Sequence, residues 1–258
     1  MIVWTVANQK GGVGKTTSAI ALAGLLADQG FRVLLVDTDP HASLSNYFGI
    51  ESENLDLSLY DLFSQVATKE QVMQILCPTH YNNIDILPAT MGLATLDRSL
   101  GHKGGMGLVL KKALQKMSDE YDYALVDCPP ILGVLMVNAI AACERLIIPV
   151  QTEFLALKGL ERMMKTLEIM QSGKAQRFKY TIVPTMFDKR TKASLRAFSE
   201  LQESYGESVW SEVIPTDTNF RNASAVKKTP SDYAPRTRGN IAYGNLLKYL
   251  VNLATVDQ

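Results

Sequence analysis

Nine residues near the start of the chain, Gln9-Lys10-Gly11-Gly12-Val13-Gly14-Lys15-Thr16-Thr17, constrain it more than any other stretch. They follow the phosphate-loop pattern G-x-x-x-x-G-K-[ST], with a residue other than glycine at its first position. Gly11, Gly12 and Gly14 let the backbone curl so that successive N–H groups point at one anion. Lys15 adds a point charge for the β- and γ-phosphates, and the Thr16 hydroxyl is placed to ligate Mg²⁺. An apolar run, Ile2 to Ala7, feeds the loop and an Ala/Leu-rich segment leaves it. A plain glycine turn between a strand and a helix needs neither the Lys15-Thr16 pair nor a second lysine at Lys10.

The remainder of the chain supplies a fold that can hold such a loop. Apolar strand-length runs at Ile2–Asn8, Arg32–Val36, Ile84–Leu87, Tyr123–Val126, Leu146–Val150 and Tyr180–Pro184, and a short one at Val213–Ile214, are separated by helical patterns. The helices are expected at Thr16–Gln29 with Gly30 as its stop, at Ser58–Val66, and after the Thr68-x-x-Gln71 capping box. Others follow near Met91–Leu100 and at Leu108–Met117, Val134–Ala142, Leu155–Met170, Ser194–Tyr205 and Asn240–Leu253. Residues 41–57 read as loop with one turn. Strands alternating with helices predict an α/β protein, with a mostly parallel central sheet covered by helices on both faces and its ligand at the strands' carboxyl ends. A second glycine-rich stretch, Gly101 to Gly107, has neither a leading strand nor a following Lys-Ser/Thr, and reads as a flexible connection.

The chain of 258 residues shows no composition shift or repeat, so one domain over 1–258 is expected. Its formal net charge is zero but unevenly spread: residues 1–150 carry 10 Lys/Arg against 15 Asp/Glu, and the rest carry 16 against 11. A basic face is therefore compatible with a neutral total. Three cysteines without metal-type spacing fit a reducing cytoplasm. The first strand enters the loop within ten residues, leaving no room for a signal peptide, and no apolar run is long enough to span a bilayer.

Three strand ends carry the chemistry. They are the phosphate loop, Asp37-Thr38-Asp39-Pro40, and Asp127 at the end of Ala124-Leu125-Val126. In a parallel sheet they share one edge, so the carboxylates converge on a phosphate-bound Mg²⁺. This ion keeps most of its waters. Thr16 is thus expected as a direct ligand, with Asp37 and Asp127 holding its waters. Asp39 is left to orient or deprotonate an attacking water, because phosphoryl transfer depends mainly on positioning.

With these residues in hand, Lys10-Gly11-Gly12-Val13-Gly14-Lys15-Thr16-Thr17 resembles the deviant Walker A motif of the ParA/MinD family of ATPases. Asp37-Thr38-Asp39-Pro40 resembles that family's switch I, and Asp127-Cys128-Pro129-Pro130 its Walker B and switch II. The resemblance runs nearly end to end and includes Phe187-Asp188-Lys189-Arg190-Thr191, Ile214-Pro215-Thr216-Asp217-Thr218 and Phe220-Arg221-Asn222-Ala223-Ser224. It implies a deviant P-loop fold and an ATP- and Mg²⁺-dependent homodimer with nucleotides between the protomers. Lys10 would be the signature lysine that reaches the partner's phosphates, and Gly11 would lie where the two loops meet. Pro215 and Asp217 would lie near the adenine. Hydrolysis would be slow and stimulated by a partner. His41 departs from the family pattern, which commonly has Gln after Asp-Pro.

The branch of the family sets the cargo. The MinD branch ends in a basic lipid-binding helix, whereas the tail here, Asn240 to Leu253, has an apolar stripe and a single lysine, which suits packing against the sheet. Arg190 and Arg221 match positions that bind nucleoid DNA in short ParA proteins. Lys189, Lys192 and Arg196, and separately Lys227 and Lys228, add cations nearby. The expected activity is an ATP-driven positioning switch, nucleoid-associated or polar, with a ParB-like or array-associated partner. The Asp-Pro-His-Ala-Ser switch resembles the ParC-type proteins that position chemotaxis arrays. Readings from other classes are a MinD-like regulator of division or flagellar placement at the membrane, a P-loop ligase of the dethiobiotin synthetase kind, and an electron-transfer ATPase like the nitrogenase iron protein.

Overall fold

The computed structural model describes residues 1–64, 68–96, 106–172 and 177–256. The first five residues of the glycine-rich stretch Gly101 to Gly107 lie outside them, as do the ends of the helices expected at Ser58–Val66 and Met91–Leu100.

Among the described residues, seven strands form one sheet: β1 (Ile2–Val6), β2 (Val33–Asp37), β3 (Cys77–Pro78), β4 (Ile84–Leu87), β5 (Tyr123–Asp127), β6 (Arg145–Gln151) and β7 (Tyr180–Thr185). Their order is β3-β4-β2-β5-β1-β6-β7. Every pair is parallel except the short edge strand β3, which runs antiparallel to β4. The strands are mostly apolar because both faces are covered. Successive side chains alternate between two cores: Leu34, Val36, Ala124 and Val126 enter one, and Val33, Leu35, Tyr123 and Leu125 the other.

On the second face lie α1 (Lys15–Asp28), α2 (Ser43–Tyr47) and, at the chain's end, α11 (Arg238–Val256). The first face is covered by α3 (Leu59–Ser64), α4 (Lys69–Ile75), α5 (Val109–Gln115), α6 (Val134–Ala142), α7 (Phe154–Gln171) and α8 (Lys192–Tyr205). Two short helices, α9 (Asn219–Ala225) and α10 (Pro230–Tyr233), precede α11.

Local signals set these boundaries. α1 ends in a Schellman turn: Gly30 sits at φ 88°, its N–H bonds Ala27 O, and Phe31 N–H bonds Leu26 O. α4 opens with the reciprocal capping box between Thr68 and Gln71. Residues 91–95 form a 3₁₀ helix where an α-helix is expected from 91 onward. No strand forms at Val213–Ile214. Ile214 N–H bonds Pro184 O while its carbonyl accepts from Phe187 N–H, three residues further on rather than the two a parallel ladder needs, leaving an isolated bridge between Phe187 and Pro215.

Candidate nucleotide site

The sheet register brings the three chemical strand ends to one level. Val6 and Asp37 both pair with Asp127, from either side. The loop after β1, the acidic turn after β2 and the carboxylate ending β5 therefore meet at the carboxyl edge, as the parallel arrangement predicts.

The phosphate loop is held at several points. Gly12 and Gly14 take positive φ, 74° and 92°, and Gly14 ends the loop at the start of α1. Val13 is fully buried, and Thr185 Oγ1 at the end of β7 donates to its carbonyl at 2.9 Å. Lys15 Nζ lies 3.1 Å from Lys10 O. Burial lowers the Lys15 pKa, and Asp127 is the main opposing influence. Thr17 is half-buried in the first turn of α1. Gly11 is exposed, with φ outside the left-handed region, and a Cβ there would meet nothing of its own chain within 4 Å.

Thr16 Oγ1 donates to Asp127 Oδ2 at 2.6 Å. Asp127 is buried, and its other oxygen, Oδ1, has no hydrogen-bond partner. Burial, reinforced by the neighbouring Asp37 charge, pushes its carboxyl up to about 8. A buried acceptor without a donor costs free energy unless water or an ion satisfies it. This pair suits a hydrated divalent cation, with Thr16 as ligand and Asp127 Oδ1 taking a metal-bound water.

Asp37 is differently engaged. Its Oδ2 accepts from Ser45 N–H and Ser45 Oγ, both at 2.8 Å, and its Oδ1 accepts from Asp39 N–H at 3.1 Å. Burial raises its carboxyl to about 6 against these donors. Most of its acceptor capacity is thus spent folding the following loop, and the free capacity on Oδ1 is what remains for a metal-bound water. Thr38 Oγ1 and N–H both donate to Asp127 O, stitching the same loop to β5. Asp39 is mostly buried; its Oδ1 accepts from His41 N–H at 3.0 Å and meets His41 Nδ1 at 2.9 Å.

Lys10 does not point at its own Lys15. Its ammonium pairs with Glu153, the residue before α7, while its N–H bonds Asn8 Oδ1 at 3.0 Å. Asn8 in turn donates to Pro149 O at 2.8 Å. Sequence reasoning missed Glu153, Thr185, Ser45 and Asn8. Glu153 and Thr185 carry a legible signal, since both lie at the carboxyl ends of strands on the same edge.

The remaining candidates lie on the surface or support neighbouring structure. Pro215 is half-buried beside Phe187, just beyond β7. Asp217 Oδ1 accepts from Asn219 N–H and Nδ2, and its Oδ2 accepts from Gly239 N–H, so it ties the start of α9 to that of α11. Arg190 is exposed and forms a two-pronged pair with Asp188, which pulls the Asp188 carboxyl down to about 2. Lys189, Lys192 and Arg196 are exposed beside it, the last two lining a surface depression with Ala193 and Leu195. Arg221 is exposed on α9, while Lys228 pairs with Asp232 at 3.4 Å. Cys128 is buried next to Asp127.

Comparisons with known proteins agree with this geometry. A family model described as an AAA domain matches residues 1–180. The sporulation initiation inhibitor protein Soj of Bacillus subtilis is 36% identical over 94% of this chain and 95% of its own length. The chromosome partitioning protein ParA of Caulobacter vibrioides is 34% identical over 97% of this chain and 94% of its own. A solved cobyrinic acid a,c-diamide synthase from Mycobacterium smegmatis, with bound ATP analogue and magnesium, superposes with a TM-score of 0.85. It shares 30% identity and covers 100% of this chain and 97% of its own.

Proposed function

The chain belongs to the ParA/MinD family of deviant Walker A ATPases, and on that premise we propose that it is a partitioning ATPase working as a nucleotide-gated dimer. The observation that carries this reading is the Thr16–Asp127 pair with its orphaned Oδ1, set beside the phosphate loop at the level of Asp37.

ATP binds with its phosphates against the N–H groups of Gly11 to Thr17 and the Lys15 ammonium. The adenine lies toward Pro215, beside the β7 end that Thr185 ties to the loop. Asp217 keeps that segment in place by joining α9 and α11. Thr16, Asp127 and Asp37 would hold Mg²⁺ and its waters, and a bound ion would supply positive charge to offset the charge that develops on the phosphate oxygens. Asp39 receives a hydrogen bond from the attacking water. The water oxygen bonds the γ-phosphorus as the bond to the ADP oxygen breaks, and its proton passes to Asp39.

Lys10 completes the site across the dimer. Two lysines around one ATP repel each other unless the closed pair supplies enough negative charge for both. In the single chain Lys10 is parked on Glu153, away from Lys15. The space around Gly11 suits the approach of a second loop. Asp39→Ala is expected to give a long-lived ATP dimer. A monomer in sizing experiments under saturating ATP and Mg²⁺ would refute the dimer.

The cargo is chromosome or plasmid DNA, or a polar chemotaxis array, engaged through a ParB-like or array-associated protein that stimulates hydrolysis. The names of the Soj and ParA relatives support the partitioning reading. The ATP dimer holds nonspecific DNA through Arg190 and Arg221, with Lys189, Lys192 and Arg196 beside the former. Because Arg190 is engaged by Asp188, the bound phosphate must compete with that carboxylate. Arg190→Glu should abolish ATP-dependent retention on duplex DNA; retention equal to the parent's would remove this site.

A ligase reading has one observation in its favour, the 30% identity to the diamide synthase. Turnover that needs a small carboxylic acid and an amide donor, and is indifferent to DNA and protein partners, would select it.

A further inference from the structure

His41 is the residue of the acidic turn that the family pattern leaves unexplained, and the structure gives its side chain one contact of consequence. The turn backbone is pinned throughout. Asp37 accepts from Asp39 N–H and from Ser45, and Thr38 is tied to Asp127 O. Ala42 N–H closes back on Asp39 O at 2.8 Å, and Ala42 itself sits buried at φ 52°. What this pinning leaves free is the torsion of the Asp39 side chain. Both donors that restrain it come from His41: the N–H at 3.0 Å and ring Nδ1 at 2.9 Å, converging on Oδ1. Asp39 Oδ2 has no hydrogen-bond partner among the described residues. The carboxylate also lies close enough to Lys15 and Asp127 to act on both electrostatically.

We propose that His41 is a positioning residue for ATP hydrolysis, its Nδ1–H holding Asp39 Oδ1 so that Oδ2 is presented to the attacking water. The proposal rests on the reading of Asp39 as the group that receives that water. Donation to a carboxylate requires the Nδ1–H tautomer, which leaves Nε2 as the free nitrogen. The ring is 76% exposed, so it adds little to core packing and its removal should leave the fold intact. A backbone N–H alone restrains one point of the carboxylate; the ring nitrogen adds a second donor from another direction. Small misplacement of a catalytic group costs rate without changing substrate binding.

The geometry of Nδ1 makes the inference specific. In His and in Asn the donor nitrogen is attached directly to Cγ, whereas Gln carries its amide one carbon further out. His41→Ala should therefore lower basal phosphate release from Mg²⁺-ATP by about fivefold to tenfold, with ATP affinity changed less than about twofold. His41→Asn should restore the rate to within about twofold of the parent, and His41→Gln should stay near the alanine variant. Nitrogen-15 imidazole spectra should show His41 as the Nδ1–H tautomer in the parent, moving toward Nε2–H in Asp39→Ala. Full activity in His41→Ala, an asparagine variant as slow as the alanine one, or a tautomer indifferent to Asp39 would each overturn the proposal. Asp39→Ala is also assayed alone: if it hydrolyses ATP at the parent rate, the reading of Asp39 fails first, independently of His41.

Discussion

Gly12 and Gly14 hold φ of 74° and 92°, so any other residue there strains the phosphate loop itself. Gly11 has no such constraint, and a side chain at that position would point into open space. Under the proposed dimer, the two kinds of glycine separate folding from association. Gly11→Val should leave the melting temperature of the single chain within about a degree of the parent, because surface changes away from special backbone positions move stability little. The same variant should fail to form the ATP dimer in sizing or light-scattering measurements. A normal dimer would mean that the two loops do not approach at Gly11. The Lys10–Glu153 pair belongs to the same scale. Both side chains are partly exposed, so their pairing is worth at most about 1 kcal/mol. In the proposed dimer, a partner's phosphates would displace so weak a contact.

At the scale of elements, α11 is the piece whose surroundings most affect the functional reading. Its Tyr243, Leu246, Leu247 and Leu250 are buried against α1 and the sheet, and Tyr243 Oη shares a 2.8 Å hydrogen bond with Ser18 in α1. Each such apolar side chain contributes about 1.5–3 kcal/mol on burial. The apolar stripe that would serve a lipid-binding helix is therefore spent inside the protein, as its single lysine suggests. Among the described residues, no helix is long and apolar enough to cross a membrane. The start of α10 packs as tightly on α1: a Cβ at Gly24 would come within 2.7 Å of Thr229 Cβ and 2.9 Å of Ser231 Oγ. Neither atom is the end of a flexible chain. Gly24→Ala should therefore gain helix propensity in α1 yet lose about 1–3 kcal/mol to overpacking, read as a lower denaturant midpoint. A stabilised variant would show that the start of α10 moves aside at no cost.

For the whole molecule, the site is assembled at the expense of the nucleotide-free state. Burial raises the carboxyl pKa values of Asp127 and Asp37 to about 8 and about 6, the former also through the neighbouring Asp37 charge. The folded chain therefore retains protons that the unfolded chain releases near pH 4, and stability falls as pH rises through that window toward about 8. The nucleotide-free protein should melt at a lower temperature at about pH 8 than at about pH 6, with a slope of at most roughly 1.4 kcal/mol per pH unit for each proton involved. Asp127→Asn should remove most of that slope, since an amide does not titrate. A melting temperature that rises with pH over this range would contradict the electrostatic picture. Bound nucleotide with Mg²⁺ supplies the missing positive partner, so the same scan with ligand should be flatter.

The sequence by itself determined the parts whose signals are local. Gly14-Lys15-Thr16, the carboxylates ending β2 and β5, the Thr68–Gln71 capping box, the Gly30 stop and the alternation of strands with helices depend on neighbours in the chain, and the fold class follows from them. Short polar helices such as α9 and α10 escaped it because they show no apolar period. The Val213–Ile214 strand did not form because Ile214 bonds Pro184 and Phe187, three residues apart, which breaks the register a parallel ladder needs. Tertiary structure alone decided where the spare valences went. Asp37 is committed largely to Ser45, Lys10 rests on Glu153 across 143 residues of chain, and His41 turns its ring onto Asp39. A carboxylate or ammonium at a strand end can reach several partners with nearly equal local energy, and the packing of the whole sheet edge selects among them.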